Sequence, residues 1–177
     1  MSRTATIAAS PAPSGTPDSP DFAVEFVVIG IGNSLLTDDG AGIHVIESLA
    51  GEELLDAVRV IDGGTLGLSL LESIEDAAHL IVVDAAEMDA PAGTVRLFHN
   101  RALEEFLATN RRPSVHEVNL LDVLGAARLC GKLPPEITLV AIQPETIGWG
   151  GAPTAAVARG IGEARTRILE LIDGAAP

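Results

Sequence analysis

The sequence predicts a single α/β domain, built as a mostly parallel twisted sheet with helices on both faces. Short runs of β-branched and aliphatic residues alternate with stretches whose apolar residues have helical spacing. The runs are continuously apolar, which is typical of strands covered on both faces. At 177 residues the chain has the size of one domain with a substantial core.

Five short stretches are predicted to be strands. Four of them are the apolar runs of a buried parallel sheet, at residues 27–29, 58–61, 80–83 and 137–142. The fifth, residues 94–98, follows a Pro-Ala-Gly turn and alternates apolar and polar side chains, which predicts an edge strand.

The segments between these strands are predicted to be helices. Their approximate bounds are residues 43–50, 66–76, 103–108, 118–129 and 154–173. Gly131 is expected to end the fourth helix. Strands that alternate with helices favour parallel strands joined by right-handed crossovers.

Composition restricts the kinds of partner. No apolar run approaches the roughly 20 residues of a membrane span, so membrane insertion is not expected. The formal charge of −14 argues against nucleic acid and favours a basic peptide or a cation. The single cysteine, Cys130, allows no internal disulfide, which is consistent with a cytoplasmic location. Its apolar helical surroundings favour core packing.

The first 23 residues differ in composition from the rest and are rich in Ala, Ser, Thr and Pro. They lack a positively charged start followed by an apolar stretch, which argues against a secretory signal. Residues 1–23 are therefore predicted to be a disordered extension, and residues 24–177 the folded domain.

Two adjacent carboxylates follow the first strand. The Gly-rich turn after that strand is succeeded by Asp38 and Asp39, just before a helix. A dinucleotide fingerprint would need a third glycine at position 35, which is Leu35, and the chain has no P-loop motif. One Asp before a helix commonly caps it. A second Asp remains without that role.

Two further polar residues occur where an α/β sheet gathers its ligands. Asp84 ends the third strand, and His116 lies in the loop before a helix. An imidazole together with two carboxylates would suit an open nickel or zinc site. The alternatives are that Asp84 is another cap and that His116 is a surface residue. Serine-protease and zincin motifs (GxSxG, HExxH) are absent from the sequence.

The segment GIGNSLLTDDGAGIHVIE, residues 30–47, resembles the opening motif of the [NiFe]-hydrogenase maturation endopeptidases. These enzymes remove a C-terminal peptide from the hydrogenase large subunit after nickel insertion. The segments HLIVVDAA around Asp84 and SVHEVNLLDVL around His116 also resemble motifs of the family, and the likeness extends from about Val24 to Ile172. The resemblance implies about five strands, one of them antiparallel, for which residues 94–98 are the candidate.

The resemblance also implies the site residues. Asp39, Asp84 and His116 match the metal-binding and catalytic positions of the family. Asp38 matches a family Asp with a supporting or substrate-contacting role, and it is a candidate base. The metal is expected to be nickel supplied by the precursor, and zinc or another divalent ion would substitute in vitro. It would polarise the scissile carbonyl or lower the pKa of the attacking water.

Two other segments resemble parts of the family that contact the substrate. Asp62-Gly63-Gly64-Thr65 is similar to a DGGT turn that reads the nickel-loaded precursor; the alternative is a tight turn that needs glycine for positive φ. Gln143-Pro144-Glu145 and the nearby Trp149 also fall in similar places, and Glu145 is a candidate recognition residue. The later Ala152-Pro153-Thr154 departs from the commoner Leu-Ser-Pro, which leaves partner choice at this rim open.

The implied function is therefore endoproteolysis of a [NiFe]-hydrogenase large-subunit precursor, which would be the protein partner. The alternative is a non-catalytic nickel-sensing or chaperone module that binds the immature large subunit. The same residues would serve either protein, and only product formation separates them.

Overall fold

The computed structural model describes residues 24–50, 58–65, 67–75, 77–109 and 120–174, and it has the predicted α/β architecture. The strands are β1 Val24–Gly30, β2 Val58–Asp62, β3 Ala77–Ala85, β4 Val95–His99 and β5 Glu136–Ile142. They form one sheet in the order β2-β1-β3-β5-β4. The pairs β1–β2, β1–β3 and β3–β5 are parallel, and β4 is an antiparallel edge strand against β5, as predicted.

Helices cover both faces of this sheet. They are α1 Ala41–Leu49, α2 Leu71–Ile74, α3 Asn100–Thr109, α4 Leu120–Leu129 and α5 Ala155–Asp173. A 3-10 turn, Thr37–Gly40, precedes α1, and another, Leu68–Leu70, precedes α2. Helices α1 and α5 pack on one face of the sheet, and α2, α3 and α4 pack on the other.

The central strands are buried on both sides, which explains why their sequences are continuously apolar. In β1, Phe26 and Val28 contact the layer of α1 and α5, whereas Val27 and Ile29 contact the opposite layer. Successive side chains of a strand point to opposite faces. Each layer therefore needs an apolar residue at every second position, and together the two layers require the unbroken run.

The predicted helix at residues 66–76 is shorter than expected. Gly67 has extended backbone angles (φ −165°, ψ 163°), so no helix begins before it. The regular part consists of the 3-10 turn and the four residues of α2. Positions 66 and 76 lie outside the described residues.

The end of α4 confirms one prediction and corrects another. Gly131 has φ +69°, and the next residue, Lys132, donates its N–H to the carbonyl of Ala127 at 2.8 Å, as in a glycine C-cap. Leu129 and Cys130 lie at this terminus and are exposed. The interpretation of Cys130 as core packing is therefore wrong, because the chain has already left the helix where the thiol lies.

Two predictions fall on residues that the structure does not describe. The extension predicted for residues 1–23 lies outside the described residues, as does the predicted start of α4 at position 118. Among the helices of the described ranges, none combines the length and the apolar character needed to cross a membrane.

Candidate active site at the carboxyl edge of the sheet

The topology creates a crevice at the carboxyl ends of β1 and β3. From β1 the chain crosses to β2 on one side and then returns to β3 on the other. Loops that leave neighbouring strands in opposite directions leave a gap between them, where open α/β sheets bind ligands. The register aligns Gly30 at the end of β1 with Asp62 of β2 and Val83 of β3, so Asp84 lies one residue beyond this line.

Glycines allow the loop after β1 to pack tightly over the strand ends. A Cβ atom at Gly32 (φ +135°) would overlap the backbone oxygen of Asp39, and one at Gly42 would overlap the backbone oxygen of Val83. The 3-10 turn that carries the two carboxylates also contacts β3. The absence of side chains at these glycines therefore brings Asp39 to the same edge as Asp84.

Asp39 is held in place by its own loop. The backbone N–H of Asn33 donates to Asp39 Oδ2 at 3.0 Å, and the N–H of Asp39 donates to the carbonyl of Leu36 at 3.1 Å. The side chain of Asn33 accepts from the N–H of Leu35 at 3.0 Å, which shapes the turn between them. Asp39 is half-buried. Its carboxylate is therefore fixed by the loop without being enclosed in the core.

Asp38 has a different environment although it is the adjacent residue. Its side chain is completely buried. One carboxylate oxygen accepts the backbone N–H groups of Glu145 and Thr146, both at 2.9 Å, and the hydroxyl of Thr154 at 3.1 Å. The other oxygen accepts the backbone N–H of Thr154 at 2.6 Å. Asp38 therefore joins the loop after β1 to both ends of the 145–154 loop.

These contacts determine the protonation of Asp38. Burial is the largest single influence and raises the pKa. The hydrogen bonds from Thr154, Thr146 and Glu145 outweigh it and hold the pKa of Asp38 below its ordinary value of 3.8. A buried carboxylate with a lowered pKa and four donors is a poor proton acceptor. The geometry therefore favours an anchoring role for Asp38 over the predicted role as a base.

Thr37 contributes a second set of hydrogen bonds to the same loop, which was not predicted from the sequence. Its N–H donates to the carbonyl of Gly150 at 2.7 Å. Its hydroxyl donates to the carbonyl of Thr146 at 2.7 Å and accepts the N–H of Gly148 at 3.1 Å. Thr37 has φ +49°, an uncommon conformation for a β-branched residue, and one that clusters at functional sites.

Gln143 is another missed positioning residue. It directly follows β5 and is buried, and its Oε1 accepts the N–H groups of Met88 at 2.7 Å and Ala90 at 3.4 Å. Its Nε2 donates to Glu87 Oε1 at 2.8 Å. Gln143 thus fixes the segment that follows Asp84. A buried amide immediately after an apolar strand was the available signal, because such a group must find partners.

The Asp62–Thr65 turn is attached to the loop after β1. The N–H of Gly63 donates to the carbonyl of Gly30, and the N–H of Gly32 donates to the carbonyl of Gly64, both at 2.8 Å. Asp62 Oδ1 accepts the N–H of Gly64 at 2.9 Å. Gly64 has φ +52°, so the interpretation as a turn that needs glycine is confirmed. Its role in substrate recognition stays a prediction.

The two glycines of this turn are expected to respond differently to substitution. A Cβ atom at Gly63 would lie 2.7 Å from Ile29 Cγ2 and 2.9 Å from the Gly30 oxygen, so a side chain there would clash with the protein itself. At Gly64 it would meet nothing within 4 Å. A substitution at Gly64 therefore tests contact of this turn with a substrate, whereas one at Gly63 would also disturb the fold.

Gly64→Ala and Gly64→Leu are expected to lose the same stability, about 1–2 kcal/mol from the left-handed backbone. Only Gly64→Leu is expected to lose about tenfold or more of the precursor cleavage that the sequence resemblance implies, because only leucine projects bulk beyond the Cβ. The measurement is chemical denaturation together with kcat/KM for cleavage of the precursor. Equal cleavage by the two variants would show that this turn does not contact the substrate.

Most of the predicted site residues meet at one edge of the sheet. They are Asp38, Asp39, Asp62, Gly63, Gly64, Thr65, Asp84 and Glu145. His116 lies in the segment 110–119, outside the described residues. Within the part of the chain that the structure describes, no three side chains of the metal-binding types are grouped to hold an ion. The ligand set Asp39, Asp84 and His116 therefore stays a prediction.

Comparison with protein families gives one match that covers most of the fold. The family model described as hydrogenase maturation protease matches residues 43–171. This span begins within α1 and ends in α5, so it includes the strands β2 to β5, Asp84 and the 145–154 loop. It begins after the segment that carries Asp38 and Asp39.

Individual proteins and a solved structure agree with this match. The chain is 35% identical over 127 residues to the hydrogenase 2 maturation protease of Escherichia coli strain K12, covering 70% of this chain and 76% of that protein. It is 35% identical over 153 residues to the hydrogenase expression/formation protein HupD of Rhizobium leguminosarum bv. viciae, covering 85% and 73% of the two chains. The solved structure of the hydrogenase maturating endopeptidase HybD from E. coli superimposes with a TM-score of 0.79 and 31% identity, covering 86% of this chain and 94% of that one.

Proposed function

The chain belongs to the hydrogenase maturation protease family, and we propose that it removes the C-terminal peptide of a [NiFe]-hydrogenase large-subunit precursor after nickel insertion. The observation that carries this proposal is the family match over residues 43–171. The likeness to a maturating endopeptidase over 86% of the chain supports it. As a hydrogenase maturation endopeptidase, the protein is a hydrolase.

The nickel ion belongs to the substrate in this proposal. We assign Asp39, Asp84 and His116 to contact it when the precursor is bound. Carboxylate and imidazole groups are suitable ligands for a borderline divalent ion. The support from geometry is that the 3-10 turn with Asp39 packs against β3, which carries Asp84 near its carboxyl end. The backbone of Asn33 fixes Asp39 before the substrate arrives.

Peptide hydrolysis requires a polarised carbonyl, an attacking water and a proton for the leaving amine. The nickel ion of the precursor would supply Lewis acidity for the first two requirements. This chain would orient the scissile peptide across the crevice and take up the proton of the water. Because Asp38 is committed to its loop contacts, we assign proton uptake to Asp39 or Asp84, through the carboxylate oxygen that does not contact the ion. The same group would then return the proton to the leaving amine.

The test compares one precursor prepared in three forms: loaded with nickel, loaded with zinc and free of metal. We expect the nickel-loaded form to be shortened and the metal-free form to remain intact for as long as it is followed. Polar groups in a cleft discriminate strongly against a substrate that leaves them without a partner. Zinc is expected to support cleavage because its ligand preferences overlap with those of nickel. The cleavage should be slower because the two ions prefer different coordination geometries. Mass spectrometry of the precursor measures the released peptide.

Each remaining outcome has a distinct meaning. Equal cleavage of the nickel-loaded and metal-free forms would disprove selection by nickel and leave the protease assignment intact. Stable binding of the nickel-loaded form without any shortening would favour the alternative, a nickel-sensing or chaperone module. As the control, the protein is added in an amount far below that of the precursor. A binding module cannot convert such an excess, whereas an enzyme can.

A further inference from the structure

Three large apolar side chains are exposed together beside the crevice. They are Leu35, with 61% of its surface exposed, Ile147 with 43% and Trp149 with 87%. We refer to these three residues as the apolar rim. Trp149 is the only tryptophan of the chain. Tryptophan is normally well buried, and an exposed one is typical of a contact that dominates a binding surface.

The apolar rim lies on two loops that are hydrogen-bonded to each other. Leu36 and Gly150 form a parallel β-bridge. The N–H of Gly150 donates to the carbonyl of Leu35 at 3.0 Å, and the N–H of Thr37 donates to the carbonyl of Gly150 at 2.7 Å. These bonds place Leu35 beside the segment of Ile147 and Trp149. The exposed side chains therefore form one surface.

The loop beneath the rim is anchored at both of its ends. The buried carboxylate of Asp38 accepts the N–H groups of Glu145, Thr146 and Thr154 and so holds both ends of the loop that carries Trp149. A surface held in one conformation loses little entropy when a partner binds. An anchor of this kind beneath an exposed apolar surface is what a preorganised binding site needs.

The rim is continuous with the crevice. Asn33, whose N–H orients Asp39, is two residues before Leu35, and Glu145 is two residues before Ile147. A peptide that reaches Asp39 therefore passes beside the rim. Asp39 and the exposed Glu145 border it with carboxylates, and the chain carries a formal charge of −14. An apolar segment with neighbouring Lys or Arg residues is complementary to this surface.

We propose that the apolar rim binds the segment of the large-subunit precursor next to the scissile bond, through apolar side chains flanked by basic residues. This inference rests on the proposed function and identifies the surface that selects the substrate. The rim holds the peptide, and the carboxylates of the crevice act on it. Removal of the rim therefore weakens substrate binding and leaves the chemical step in place.

The test uses Trp149→Ala and Leu35→Ser in the full chain, with Leu129→Ala as the matched control. Leu129 is also an exposed large apolar residue, but it ends α4, which leads into the amino end of β5 at the opposite edge of the sheet. We expect Trp149→Ala to raise both KM and the Kd of the nickel-loaded precursor by about 30-fold and to change kcat by less than about threefold. Leu35→Ser is expected to act in the same direction, and Leu129→Ala to have no effect.

Trp149 also provides a readout that does not depend on activity. The chain contains one tryptophan and no tyrosine, so its long-wavelength fluorescence comes from Trp149 alone. A synthetic peptide of the precursor C-terminus that lacks tryptophan is expected to shift this emission to shorter wavelengths and to reduce quenching by acrylamide. The same peptide with its Lys and Arg residues replaced by Gln is expected to bind at least about tenfold more weakly.

The outcomes separate this inference from the proposed function. If the protein cleaves the precursor and Trp149→Ala leaves KM and Kd unchanged, the rim proposal is overturned and the function stands. If the protein binds without cleaving and Trp149→Ala weakens binding, the function fails and the rim stands. Absence of both binding and cleavage overturns both. Emission from Trp149 that shifts with protein concentration alone would show that a second copy of this chain covers the rim, which also overturns it.

Discussion

An Asp39→Asn variant is expected to fold normally and to lose about a thousandfold in the rate of precursor cleavage. In the wild type the backbone nitrogen of Asn33 lies 3.0 Å from Asp39 Oδ2. Asparagine keeps an oxygen that can accept this N–H, so the loop keeps its shape. It removes the negative charge that would contact the metal of the precursor or take up a proton. Groups with such roles typically contribute factors of about 10² to 10⁴.

The measurement is kcat/KM for the nickel-loaded precursor, together with the thermal midpoint of the free protein. Glu163→Gln is the matched control, since it removes an exposed carboxylate from α5 that contacts none of the site residues described above. We expect that control to cleave like the wild type. Cleavage by Asp39→Asn within tenfold of the wild type would exclude Asp39 from the chemistry.

The strands of this fold could be predicted because the residues within each strand are sufficient to indicate it. Residues 27–29 and 80–83 are apolar at every position, and a short run of this kind is typical of a strand covered on both faces. The edge position of β4 was also visible locally, in the alternation of residues 94–98. The positions of the helix termini depend instead on the backbone conformation of single residues, which the apolar pattern does not indicate. Gly67 is extended where a continuing helix was expected. Gly131 ends α4 as predicted, but the exposure of Cys130 beyond that end was not predicted.

The position of the candidate residues at this edge of the sheet could be predicted, but the contacts that distinguish them could not. Asp38 and Asp39 are adjacent, and nothing local distinguishes their side chains. What distinguishes them is the 145–154 loop, because the donors to Asp38 are 107 to 116 residues away in the sequence. Such pairings follow from the tertiary fold. The anchoring role of Gln143 was hidden in the same way, since its partners Met88 and Ala90 are 55 and 53 residues away.

Asp38→Asn is expected to destabilise the fold by about 3 kcal/mol, in contrast to the same change at Asp39. A carboxamide has one oxygen where Asp38 uses two, and its NH₂ group would face N–H donors of Glu145, Thr146 or Thr154. A buried donor left without a partner costs about 1–3 kcal/mol. Opening of the loop to water would limit the total. For a domain of this size the thermal midpoint should fall by about 6–12 °C.

The pH dependence of stability tests the same contacts independently. The hydrogen bonds hold the pKa of Asp38 below 3.8 in the folded protein, so the unfolded chain binds this proton at a higher pH than the folded chain does. The stabilisation from Asp38 is therefore complete above the unfolded value and is lost as the pH falls through the folded one. Urea denaturation at pH 7 and at several points below pH 4 measures how much free energy of unfolding is lost on acidification. This loss should be smaller for Asp38→Asn than for the wild type. Parallel curves for the wild type and Asp38→Asn would show that the buried carboxylate does not anchor the loop.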